Sequence, residues 1–260
     1  MIKKFTYDLR GIFLQNQKWL MITLMITFLA SFDDYGNKGT AAILEFFRGI
    51  TELGYSDSRS LSDLPFCLIL TVYLVLYSAV LYLSKESNDS KTNVLLHFSS
   101  KKVWIESKLF CLTIYALGDL AMIYLGLFSF SFLFPKRISQ VNLAQAIPQP
   151  EIIKYLFITV PVCLCFLLAI GILAYYLINF ASSLMIMFLI IIMSFFKFSE
   201  WNPFTFFMLQ RSTFVSVSGV NFTKSWVFIV PLCVIYVGLI IFADKLEILK
   251  EKKSQVLICV

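Results

Sequence analysis

The chain has 260 residues, of which 59% are hydrophobic and only 15% charged; its mean hydropathy is +0.81 and its net charge +6. A soluble domain carries about 25% charged residues, so this composition excludes an ordinary water-soluble fold and makes lipid the expected solvent. The positive charges stand at the ends of apolar runs, which sets topology and argues against nucleic acid as a partner.

Residues 2–16 predict an amphipathic helix. Ile2, Phe5, Leu9, Ile12 and Phe13 recur on one face, with Lys3, Lys4, Asp8 and Gln15 opposite. Such a helix lies in the membrane interface with its lysines toward the headgroups. The first span runs from Lys18 to Phe32. It ends at Ser31-Phe32-Asp33-Asp34 without a small-x-small cleavage site, so it is not read as a cleaved signal. Residues 33–63 hold six acids against three bases, and Thr40 to Gly49 reads as a short helix on the membrane surface. The second span, Leu64 to Leu83, is uncharged over the roughly twenty residues that cross a ~30 Å hydrocarbon core. Pro65 stands at its start, where a missing N–H costs little.

Ser84 to Lys108 is a long polar connection carrying Lys85, Lys91, Lys101, Lys102 and Lys108 around an apolar island, Val94-Leu95-Leu96. The third span, Leu109 to Phe134, has one ionisable residue near its middle, Asp119. A polar hairpin (135–154) with Pro135, Pro148 and Pro150 leads to the fourth span, Tyr155 to Ile178. A break at 179–183 precedes a short fifth span, Leu184 to Phe196. Residues 197–225 mix Trp201, Phe204, Phe206 and Phe207 with polar residues and Pro203, the pattern of a re-entrant segment. The sixth span is Trp226 to Ala243, followed by a charged tail, 244–260.

Six spans put both termini on one side. Lys and Arg number thirteen on the side of the termini and the 84–108 connection, against nine on the other, so the termini and that connection are expected in the cytoplasm. The expected fold is therefore an all-α membrane protein: one transmembrane domain over residues 1–260, multi-pass in a bacterial plasma membrane. It has six transmembrane helices, an N-terminal interfacial helix, a cytoplasmic helix in the central connection and a re-entrant segment before the last span.

The six cysteines fall mostly in apolar runs, where Cys acts as a small hydrophobe, and the single histidine, His97, sits in the polar connection. With one His there is no ordinary metal set or Ser-His-Asp triad, so no catalytic and no metal residues are assigned. No G-x-x-x-x-G-K-[ST] occurs in the chain, so any ATP and Mg would be held by a partner subunit. Asp119 is the one chemically unusual residue. A charge at the bilayer centre costs about 2.5–3.5 kcal/mol, so it should face protein or water. Tyr115 and Met122 share its helix face at i−4 and i+3. Two roles are open: lining a translocation path, or making a structural hydrogen bond as a protonated or Tyr115-bonded carboxyl.

Against this background, the 84–108 connection resembles the first cytoplasmic loop of type-2 ABC exporter permeases. That family has an acid, a Thr after a Gly, a Leu-rich turn, a Pro-x-Ser-Arg-like break and a Lys opening the third span. Glu86, Thr92, Leu95-Leu96, Ser99-Ser100-Lys101-Lys102 and Lys108 stand at about those places. Lys91 replaces the common Gly and Phe98 the common Pro. The segment around Asn202-Pro203 is also similar to the family's re-entrant hairpin. The resemblance implies that Glu86, Thr92, Val94, Leu95, Leu96, Phe98, Lys101 and Lys102 contact a separate ABC ATPase through a coupling helix. It also implies a second permease copy or a sister permease. The substrate expected is a hydrophobic peptide of toxin or bacteriocin type, with lipid or drug export next. Rival readings are a secondary transporter working through Asp119 and a peptide-immunity or sensor protein.

Overall fold

In lipid a crossing segment must satisfy its own backbone hydrogen bonds, so apolar runs of this length fold as helices. The computed structural model of the protein describes residues 2–33, 39–49, 65–89, 101–133, 148–196, 201–213, 215 and 219–243. The helices, in chain order, are α1 (Ile2–Asp33), α2 (Thr40–Phe46), α3 (Phe66–Asp89), α4 (Lys101–Phe130), α5 (Gln149–Leu177), α6 (Phe180–Met193) and α7 (Ile229–Ile241). Together they form an all-α bundle. Four described segments are long and apolar enough to cross a membrane: Phe66–Lys85, Lys102–Phe130, Gln149–Leu177 and Lys224–Ile241.

The N-terminal helix departs from expectation. The interfacial helix and the first span are one continuous rod of 32 residues. Leu14 to Lys18 contains neither Pro nor Gly, and Leu, Gln and Lys all propagate a helix well. Nor is Asp8 on an outward polar face: it is buried, as is Ile12. The reason is that α1 packs along both α3 and α4, so two of its faces are covered. Paired contacts give the directions. Asp8 meets Lys108, Phe13 meets Tyr115 and Phe28 meets Phe130, so α1 and α4 run parallel. Trp19 meets Tyr77 while Asn16 meets Ser78, so α3 runs the other way.

The other boundaries shift for local reasons. α4 starts at Lys101 rather than Leu109, so Lys108 lies two turns inside the helix instead of opening it. α5 starts at Gln149 with Pro150 in its first turn, a position that needs no N–H. It passes through a π segment at Tyr155–Thr159. Asn179 caps α6, its side chain accepting the Ser182 N–H at 2.7 Å. At 14 residues, α6 rises about 21 Å, short of a full crossing. It lies close on α5 because Gly171 leaves room: a Cβ there would sit 2.5 Å from Met187 Sδ, and Ser183 Oγ donates to the Gly171 carbonyl at 2.7 Å. Small residues permit this approach between helices in lipid.

One end of the bundle is closed by chain that is not α-helical. Residues Pro203–Phe207 and Leu209–Arg211 form buried 3-10 turns. The backbone N–H groups of Leu209 and Gln210 donate to the carbonyls of Phe47 and Arg48 at 2.8 and 2.9 Å. Gly49, at φ +65°, allows this: any side chain there would run into Met208. α2 is held in the same layer, burying Ala42, Ile43, Leu44 and Phe46 rather than lying on an open surface. The Arg211 guanidinium donates to the Ser194 and Phe195 carbonyls just past α6. Asn202 ties α6 to the first 3-10 turn twice: its Nδ2 donates to the Ile190 carbonyl at 2.6 Å and its Oδ1 accepts the Phe204 N–H at 2.9 Å. Asn202→Ala, which loses both, should destabilise the protein by about 1–2 kcal/mol. Thermal unfolding in detergent measures this, and an unchanged midpoint would show that the tie carries no stability.

Candidate functional site

The interior between α1, α3 and α4 is where polar groups collect at membrane depth. Asn16 comes from a polar run in α1, Ser78 from an uncharged span, and Tyr115 and Asp119 stand one turn apart on α4. All four are buried, Ser78 and Tyr115 completely and Asp119 at 2% exposure. Asn16 Nδ2 donates to the Ser78 carbonyl at 3.1 Å. The Ser78 and Tyr115 hydroxyls share a hydrogen bond of 3.0 Å, and Ser78 Oγ also reaches the Val75 carbonyl at 2.9 Å. Phe13 stands edge-on to the Tyr115 ring at 5.3 Å and fills the space left by Gly118, where a Cβ would lie 3.2 Å from it. The α1–α4 contact is therefore close, and it shields the cluster from lipid.

Asp119 is the exception in an otherwise satisfied group. Tyr115 is its electrostatic neighbour. Even so, neither carboxyl oxygen makes a hydrogen bond of normal distance and angle among the described residues. A buried polar group left in this state is costly. A hydroxyl has one proton: when Ser78 gives its own to Val75, Tyr115 gives its own to Ser78, and only lone pairs on the Tyr115 oxygen face Asp119. In that arrangement the carboxyl supplies a proton itself or meets a donor from outside; with Ser78 donating to Tyr115 instead, the Tyr115 hydroxyl turns its proton to Asp119. The cluster can thus bind a proton, a cation or a hydrogen-bond donor at mid-depth.

A second polar contact lies at the end of the bundle marked by Lys85, Lys102 and Glu106. Lys108, 1% exposed, pairs with Asp8 at 2.9 Å, and Ser107 Oγ donates to the other Asp8 oxygen at 3.1 Å. The ammonium also stands 5.7 Å from the centre of the Tyr82 ring, within cation–π range. Eleven residues of helix, about 16 Å, separate Lys108 from Asp119 on α4.

A cavity of about 210 Å³ opens beside the π segment, lined by Glu151, Lys154, Tyr155, Ile158, Thr159, Phe222 and Trp226. It falls below the roughly 300–1,000 Å³ of ligand pockets, so the interior cluster is the stronger candidate.

The residues picked out from sequence lie as follows. Tyr115 and Asp119 come together in the cluster, whereas Met122 turns outward and is 38% exposed. Glu86 lies in the last turn of α3 and Lys101 in the first of α4, with Lys102 exposed beside it. Thr92, Val94, Leu95, Leu96 and Phe98 lie outside the described residues. Asn16, Ser78 and the Asp8–Lys108 pair were not singled out by sequence reasoning. A polar run in α1 was the only signal for the first, and an uncharged span gave none for the second. Compared with protein-family models, curated proteins and solved structures, the chain matches none.

Proposed function

We propose that this multi-pass membrane protein is the transmembrane subunit of an ATP-driven exporter, with ATP hydrolysed by a separate ABC ATPase subunit. The observation that favours this is the shape of the bundle's basic end. α3 continues past Lys85 to Asp89, and α4 begins at Lys101 with Lys102 and Glu106 exposed. The buried Lys108 and Tyr82 hold the two helices together there. In this reading the 84–108 connection, which joins the two helices in sequence, is the part that a soluble subunit contacts. Val94, Leu95, Leu96 and Phe98 fit an apolar groove on such a subunit, and the lysines around them an acidic rim. The basic end faces the cytoplasm in this reading, by the positive-inside bias. The substrate is a hydrophobic or amphipathic peptide, and two permease subunits form the pathway.

The test is purification from the native host. An ATPase subunit accompanies the wild-type chain and is lost with Leu95→Asp, while the amount of chain in the membrane is unchanged. If no ATPase accompanies the wild type, and Leu95→Asp leaves function intact, the exporter reading fails. A secondary transporter is the second reading, favoured by the buried carboxyl of Asp119, which makes no hydrogen bond of normal geometry among the described residues. It requires transport to continue without ATP.

A further inference from the structure

The outer face of α1 is polar at a depth where lipid should be. Gln15, Gln17 and Lys18 are exposed. Contacts on both neighbouring helices fix how deep they lie. Trp19 packs on Tyr77, near the midpoint of the span Phe66–Lys85, and Phe13 on Tyr115, near the midpoint of Lys102–Phe130. From Asp8, level with Lys108 at the basic end, to Gln17 is nine residues of helix, about 13 Å. A lysine can extend toward the interface along its stem, but a glutamine carboxamide at that depth cannot, and hydrocarbon offers it no hydrogen bond. This face therefore needs a protein cover. On the same stripe Leu14 lies before the polar residues and Met21 and Met25 beyond them, each about 60% exposed.

We propose that the α1 face formed by Leu14, Gln17, Lys18, Met21 and Met25 packs against the same face of a second copy of this chain. A carboxamide both donates and accepts, so Gln17 is complementary to itself across a twofold axis. The Lys18 ammonium extends along its stem toward the interface, away from the centre of the contact. The unbranched methionines adapt to one another beyond the polar level, and interhelical side-chain hydrogen bonds are a recognised source of association in lipid. This inference specifies the paired-permease part of the exporter reading, but it stands on the depth of Gln17 and not on ATP coupling.

The test is cysteine cross-linking of the full chain in native membranes, with Cys233 and Cys259 replaced by Ser. A disulfide needs Cα atoms within about 7 Å. Gln17→Cys and Met21→Cys are expected to give severalfold more covalent dimer on mild oxidation than Val234→Cys, which lies on the exposed face of α7. Met21→Cys removes no polar group, so it reports on the face even if Gln17→Cys folds poorly. Dimer yields no higher than that of Val234→Cys at both positions overturn the proposal. If an ATPase co-purifies but these positions do not cross-link, this face is wrong and the exporter reading stands. Cross-linking without any ATPase supports the face and removes the exporter.

Discussion

Lys108→Met lowers the stability of the protein by about 3–5 kcal/mol, because it strands the buried Asp8 carboxylate. Asp8→Leu does the reverse damage, taking the carboxylate partner away from the buried Lys108 ammonium. The double variant Asp8→Leu/Lys108→Met is expected to recover most of the loss, since a buried ion pair replaced by apolar residues of similar volume is often neutral or better. Unfolding in detergent, followed by tryptophan fluorescence, measures all three. Additive losses in the double variant would mean that the two charges are not coupled and that the α1–α4 contact at this end is held by its apolar neighbours alone. The pair joins the helix bearing Asn16 to the one bearing Asp119.

Asp119→Leu is expected to raise stability and, under the transport reading, to lower activity. Asp119→Leu removes two buried oxygens that lack normal hydrogen bonds and should stabilise the fold by about 1–3 kcal/mol. If the carboxyl acts on the transport path, the same variant loses at least about tenfold in activity, equivalent to about 1.4 kcal/mol of lost transition-state stabilisation. Asp119→Asn keeps the size and removes the exchangeable proton; it should lose activity with little change in stability. Survival of cells challenged with a hydrophobic membrane-active peptide gives the activity, and unfolding in detergent gives the stability. Full activity in both variants would assign Asp119 a purely structural place. Transport without ATP that is abolished in Asp119→Asn would support the secondary-transporter reading.

Much of the helical layout was legible because lipid imposes a single rule: long apolar runs become helices that satisfy themselves. Leu64 to Leu83 and the run after Lys108 show this, as does Pro65 just before α3. The reading failed where a helix could gain from neighbours. Asp8 looks like part of a polar face when α1 is considered alone, and it becomes buried because Lys108, a hundred residues away, supplies its charge partner. The division between interfacial helix and first span was drawn from hydropathy, but nothing in the backbone chemistry of residues 14–18 requires a break.

The sequence by itself determined the solvent, the helical class and the position of one acid in an apolar span, because these follow from local composition and periodicity. Only the tertiary structure decided that Asp119 lies with Tyr115, Ser78 and Asn16 rather than beside Met122. It also showed that Gln15 and Gln17 are exposed on α1 among the described residues, close in chain to the contacts of Phe13 with Tyr115 and of Trp19 with Tyr77. Those facts depend on which helix faces are covered. Three helices settle that together, by the close fit of Phe13 over Gly118 and of Trp19 on Tyr77, and no stretch of one helix encodes it alone.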